Sequence, residues 1–153
     1  MQSLVNKNTF SGSVLLARNN QILLIKGYGY SKLNEHEQNS SQTIFRLGSV
    51  TKPFTSIIIL KLCDEKLLKL NSRLNEFISD YPNGQEITVK HLLSNTSGIE
   101  DYTEMEVFEE KCSENLTIDQ LIDLFKNEPL KFPPGSEYSY SNSNVKQKTN
   151  NFI

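Results

Sequence analysis

The sequence predicts an α+β fold: an N-terminal β-hairpin of an antiparallel sheet, then a mostly helical region. Three observations carry that expectation. Two apolar runs, Phe10 to Ala17 and Ile22 to Tyr30, flank the turn formers Arg18-Asn19-Asn20-Gln21, the pattern of strand, tight turn, strand. A long apolar stretch, Ile57-Ile58-Ile59-Leu60, follows a Gly48-Ser49 turn and reads as a buried helix from about Ser49 to Glu65. Downstream, Thr88 and Thr117 each stand where a helix cap belongs, ahead of Val89-Lys90-His91-Leu92-Leu93 and of Ile118 to Phe125.

Between these elements the chain is polar or punctuated. Ser31 to Ser41 reads as a loop, and Thr43-Ile44-Phe45-Arg46 as a short extended lead into the Ser49 turn. Leu67 to Asn71 ends the central helix, and Leu74 to Ile78 reads as one more helical turn. Tyr81-Pro82-Asn83-Gly84 and Phe132-Pro133-Pro134-Gly135 are rigid turns. Val145 to Ile153 is polar and aperiodic. It reads as a disordered tail, so the organisation expected is one domain part over 1–144 and a tail over 145–153.

Bulk properties exclude several classes. With 153 residues, 37% hydrophobic and 22% charged, the chain has the size of one domain with a modest core. A net charge of −2 and the lack of a basic stripe argue against nucleic-acid binding. No run reaches the length of a membrane span. The N-terminus lacks the charged and apolar regions of a secretory signal, so the chain reads as cytoplasmic as given, or as periplasmic or extracellular if a signal lies upstream. Two cysteines are too few for a disulfide scaffold; Cys63 reads as a small buried residue and Cys112, among acidic neighbours, as exposed, with pairing left open. His36 and His91 stand without ligand spacing, so neither a metal nor a cofactor is expected.

The chemistry gathers around Ser49-Val50-Thr51-Lys52. Residues three apart on a helix share a face, which sets the serine oxygen at the positive end of the helix and the lysine on the same face one turn deeper. Apolar neighbours around the lysine would make it a base, a way to activate an alcohol without histidine. A Ser-x-x-Lys pattern by itself more often marks a capping serine and a surface lysine, and Ser143-Asn144-Val145-Lys146 also fits it. Context favours Ser49: Gly48 frees the backbone before it, and Pro53 falls in the first helical turn, where its missing N–H costs nothing. A second constellation is Tyr140-Ser141-Asn142, where a phenol can carry a proton and an amide can hold a substrate carbonyl. Alone it is more often a loop tyrosine and a helix cap, and Tyr81-Pro82-Asn83 fits it too.

Taken in order, the hairpin, Phe45-Arg46-Leu47-Gly48-Ser49-Val50-Thr51-Lys52-Pro53-Phe54-Thr55, His91-Leu92-Leu93-Ser94-Asn95-Thr96-Ser97-Gly98-Ile99 and Phe132 to Asn142 resemble the beta-lactamase-related serine hydrolases. These include the class C beta-lactamases, the D-alanyl-D-alanine carboxypeptidases of similar fold, and their esterase and peptidase relatives. The resemblance spans about Ser11 to Asn144 and implies the beta-lactamase/transpeptidase-like fold. It implies Ser49 as the acylated nucleophile, Lys52 as its proton acceptor or the group that tunes one, and Tyr140 as general base and acid. It also implies that Asn142 orients the substrate amide and Lys52, and that the Ser49 N–H is one oxyanion donor. Family members commonly carry a second histidine where this chain has Asn95, a change expected to alter local hydrogen bonds.

Family members also continue into further helices and the return strands of the sheet, one of which carries a Lys/His-x-Gly motif. Lys148-Thr149-Asn150 lacks the glycine. The expectation is therefore the N-terminal part of such an enzyme, with the C-terminal half missing. It would act on a small-molecule or peptide substrate (a beta-lactam, a D-amino-acid peptide or an ester) through an acyl-enzyme, and be weakly active or inactive as given. Open strand edges would then be a route to self-association. The alternatives are a penicillin-binding or sensor-type module acylated without turnover, and a non-functional gene remnant.

Overall fold

The computed structural model of the chain describes residues 2–7, 9–32, 34 and 36–144. The tail over 145–153 lies outside the described residues, and with it Lys146 of the second Ser-x-x-Lys and Lys148-Thr149-Asn150. The chain forms two compact units, Met1–Gly48 and Ser49–Ile153.

In the first unit a short helix α1 (Gln2–Asn6) precedes the expected hairpin of β1 (Gly12–Arg18) and β2 (Gln21–Tyr28). The strands pair antiparallel from Gly12 opposite Tyr28 to Arg18 opposite Gln21. Asn19 and Asn20 both take left-handed backbone, with φ of 49° and 62°. Such a two-residue turn has the twist of the strands it joins, and asparagine tolerates the conformation. The 31–41 stretch, expected as loop, holds a small second ladder of β3 (Tyr30–Lys32) with β4 (Glu37–Gln38). It is too short and too polar to show an alternating pattern. Leu15, Leu16, Ile22, Leu23 and Ile25 of the hairpin are exposed.

The 3₁₀ turn Gly48–Val50, whose glycine ends the first unit in sequence, leads into helix α2 (Thr51–Asp64) of the second. Lys66 stops α2 with φ of 61°, while the Lys66 and Leu67 N–H groups donate back to the Cys63 and Leu62 carbonyls, a Schellman closure. The expectation of a buried helix is corrected here: of α2 only Ile59 is buried, and Phe54, Ile57, Ile58 and Leu60 face solvent. The apolar residues surround the helix, but only one face meets Leu68, Val89, Phe77 and Leu93.

Helix α3 (Val89–Leu93) and helix α5 (Ile118–Asp123) begin at Thr88 and Thr117, whose hydroxyls accept from the His91 and Gln120 N–H groups, as anticipated. Helix α4 (Glu106–Lys111) lies between them. The main core comprises Leu74, Tyr81, Ile87, Leu92, Ile99, Tyr102, Ile122 and Phe125. Tyr102 stacks on Phe125 at 5.9 Å between ring centres and meets Phe108 edge-on at 4.8 Å. Cys63 is half-buried, Cys112 is exposed, and both are free thiols.

Candidate active site

Gly48 sets up the turn that presents Ser49. Its φ is 53°, and an added Cβ would meet no atom within 4 Å, so the requirement is conformational rather than steric. Val50 occupies the cap position of α2 and makes no side-chain capping bond. The Ser49 hydroxyl is therefore not a helix cap, the ordinary role of a serine in this pattern. It is hydrogen-bonded to Tyr140 Oη at 2.9 Å and accepts from Lys52 Nζ at 3.0 Å. Lys52 Nζ also donates to Asn142 Oδ1 at 3.0 Å and lies 4.9 Å from the centre of the Tyr140 ring. Tyr140 Oη donates to the same Asn142 oxygen at 3.3 Å. The four residues singled out in the sequence thus form one contiguous cluster, all within the second unit.

The surroundings of Lys52 differ from the expectation. It was expected among apolar neighbours, whereas its ammonium faces a hydroxyl, an amide oxygen and an aromatic ring. The group this arrangement tunes is the phenol. Contact with Lys52 first, and with Ser49 second, holds Tyr140 below the ordinary tyrosine value. A phenol depressed in this way and touching a serine oxygen can take the serine's proton.

The segment bearing Tyr140 and Asn142 is stitched to the turn after α3. Asn95 closes that helix with φ of 55°, and the Thr96 and Asn95 N–H groups donate to the His91 and Leu92 carbonyls. Asparagine is among the few residues that accept this conformation. Its carbonyl then accepts from the Ser139 N–H at 3.0 Å, and its Oδ1 from Asn144 Nδ2 at 2.9 Å and the Ser141 N–H at 3.4 Å. Ser97 donates to Asn144 Oδ1 at 2.6 Å, and Ser141 and Ser143 donate to the Glu100 carbonyl. This polar knot is buried at Ser97, Ser141, Ser143 and Asn144.

The model of the beta-lactamase family matches residues 2–146. The chain belongs to that family. Penicillin-binding protein 4* of Bacillus subtilis (strain 168) is 31% identical over 93% of this chain and 32% of its own length. Protein flp of Staphylococcus aureus (strain NCTC 8325 / PS 47) is 34% identical over 86% of this chain and 27% of its own. A penicillin binding protein from Bacillus halodurans superposes with a TM-score of 0.82 at 27% identity, over 95% of this chain and 45% of that one. The chain spans less than a third of the length of these curated relatives. The fold is that of the beta-lactamase/transpeptidase proteins.

Sequence reasoning missed two residues of the cluster. Asn142 Nδ2 donates to Asp101 Oδ2 at 2.9 Å and to Thr103 Oγ1 at 3.2 Å. No motif marks Asp101 or Thr103; they reach the site only because the chain returns 41 residues later. Among the described residues no group of His, Cys, Asp and Glu is gathered to hold a metal, and no helix is long and apolar enough to cross a membrane.

Proposed function

We propose that the second unit carries the nucleophile of a serine acyl-transfer site, and that the chain acts as a serine hydrolase on an amide or ester. The observation that carries this reading is the placement of one serine oxygen between a depressed phenol and a lysine ammonium, 2.9 and 3.0 Å away. In the proposed step Tyr140, as phenolate, takes the proton of Ser49 while Oγ bonds to the substrate carbonyl carbon. The carbonyl electron pair moves to oxygen, beside the Ser49 N–H at the start of the helical turn, one of the donors no helical partner uses. Collapse breaks the bond to the leaving amine or alkoxide, which receives the proton from Tyr140 and leaves an acyl-Ser49. Water, deprotonated by the same phenolate, adds to the acyl carbon; the bond from that carbon to Ser49 Oγ then breaks, and Tyr140 returns the proton to Oγ. Lys52 keeps the phenol low, and Asn142 holds Lys52. The names of the relatives, penicillin-binding proteins, favour a beta-lactam as substrate class; the same names favour a second reading, acylation without turnover.

Intact mass of the chain after exposure to a penicillin, and separately to a fluorophosphonate, tests both readings. A single adduct that is absent in Ser49→Ala is expected. An adduct that persists in the mutant, or no adduct with either reagent, rejects the assignment. An adduct lost over hours supports hydrolysis, and one that stays supports acylation without turnover.

A further inference from the structure

We infer that Asp101 is a positioning residue that fixes which way the Asn142 amide faces, and through it where Lys52 stands against Ser49 and Tyr140. The inference rests on the reading that Ser49, Lys52 and Tyr140 are the reacting groups. Asp101 is 4% exposed, and a carboxylate that deep needs donors for both oxygens. Its Oδ1 accepts from the Thr103 N–H at 3.0 Å and from Thr103 Oγ1 at 2.9 Å. That is the cap of the 3₁₀ turn Tyr102–Glu104, and it satisfies one of the two oxygens. The second oxygen is spent elsewhere: Oδ2 accepts from Asn142 Nδ2 at 2.9 Å.

An amide has one donor end and one acceptor end. With Nδ2 bound to Asp101 Oδ2 and Thr103 Oγ1, the Oδ1 end is directed at Lys52 Nζ and Tyr140 Oη. The reverse orientation would set an NH₂ against an ammonium and a carbonyl against a carboxylate. The buried negative charge therefore excludes one of the two amide orientations, and Lys52 is held between Asn142 Oδ1 and Ser49 Oγ. Asp101→Asn keeps the shape and removes the obligation: the new amide can offer a donor, Asn142 can turn over, and Lys52 loses its acceptor on Asn142.

The sign of one measurement separates positioning from a mere neighbouring charge. Lys52 and Asp101 are the charged groups that act on the Tyr140 phenol: Lys52 lowers its value and Asp101 raises it. If Asp101 were only a charge nearby, its removal would lower the Tyr140 value further. If it positions Lys52 through Asn142, removal raises the Tyr140 value, because the larger lowering contact is lost. The midpoint can be read by carbon NMR of the chain labelled at the tyrosine ring carbon, with the Tyr140 signal assigned by its loss in Tyr140→Phe. A rise in Asp101→Asn is expected; a fall or no change overturns the inference. Thr103→Val leaves every charge in place and removes the other acceptor of Asn142 Nδ2, so a smaller rise is expected. Should Asp101→Asn fail to fold, Thr103→Val decides, and an unmoved midpoint overturns the inference. Penicillin labelling of Ser49 should slow about tenfold in Asp101→Asn, near the worth of one charge-assisted hydrogen bond. A wild-type chain that is never labelled but whose Tyr140 midpoint rises on Asp101→Asn rejects the acyl-transfer reading and supports the positioning role.

Discussion

Two parts of the larger unit use tyrosine in opposite ways. In the core, Tyr81 is 5% exposed, and burial pushes its phenol well above the ordinary value. In the site, Tyr140 is 44% exposed, and Lys52 pulls its phenol down. The core is held by volume: Leu74, Ile87 and Phe125 are almost wholly enclosed. The site is held by direction, through bonds from Asn95, Asp101 and Thr103 to the 139–144 segment. The core should therefore fail when its own volume is removed and be little affected when a charge in the site is exchanged. The site should do the reverse.

The largest effect is expected at Tyr140. Tyr140→Phe keeps the ring and deletes the proton carrier, and the labelling rate by a penicillin should fall about 10²–10⁴-fold, the usual worth of general acid–base catalysis. In the unaltered chain the labelling rate should rise with pH as the phenolate forms, with its midpoint below pH 10.0, the ordinary tyrosine value. In Lys52→Met that rise should move up towards pH 10.0, and an unmoved profile would show that Lys52 does not tune the phenol.

Phe125→Ala tests the other side. The residue is 1% exposed, and deleting such a ring costs about 3–5 kcal/mol, readable as a lower urea midpoint. Labelling per folded molecule should stay near that of the parent. Weaker still is the effect of alkali on the core. The unfolded chain releases the Tyr81 proton near pH 10.0 while the folded chain retains it, so this contribution is complete below that pH and declines above it. Tyr81→Phe should flatten the alkaline decline in stability. The smallest change is expected at Ile57→Lys, which is 64% exposed and should alter stability by no more than about 0.5 kcal/mol.

What could be read in the sequence was local. The Asn19-Asn20 turn, the caps at Thr88 and Thr117, and the Ser49 turn each lie within a few residues, where turn and capping chemistry act. Ser49 and Lys52 share a helix end; Tyr140 and Asn142 joined them through family likeness, not through any pattern that spacing could supply. Asp101 left no trace because it sits just past the His91–Ile99 motif, where no pattern marks it, and gains its role only when the chain returns. The exposed faces of α2 were misjudged for a related reason. An all-round apolar helix asks for cover on every side, and sequence cannot say how much of it the described residues supply.

The aliphatic surface left open on α2 and on the hairpin has a thermal consequence. Contacts between such surfaces are driven by the release of hydration water, so they weaken on cooling and strengthen with excluded salts such as sulfate. Light scattering from a concentrated solution should fall as it is chilled and return on warming. A polar surface, whose contacts are enthalpic, would show the opposite trend.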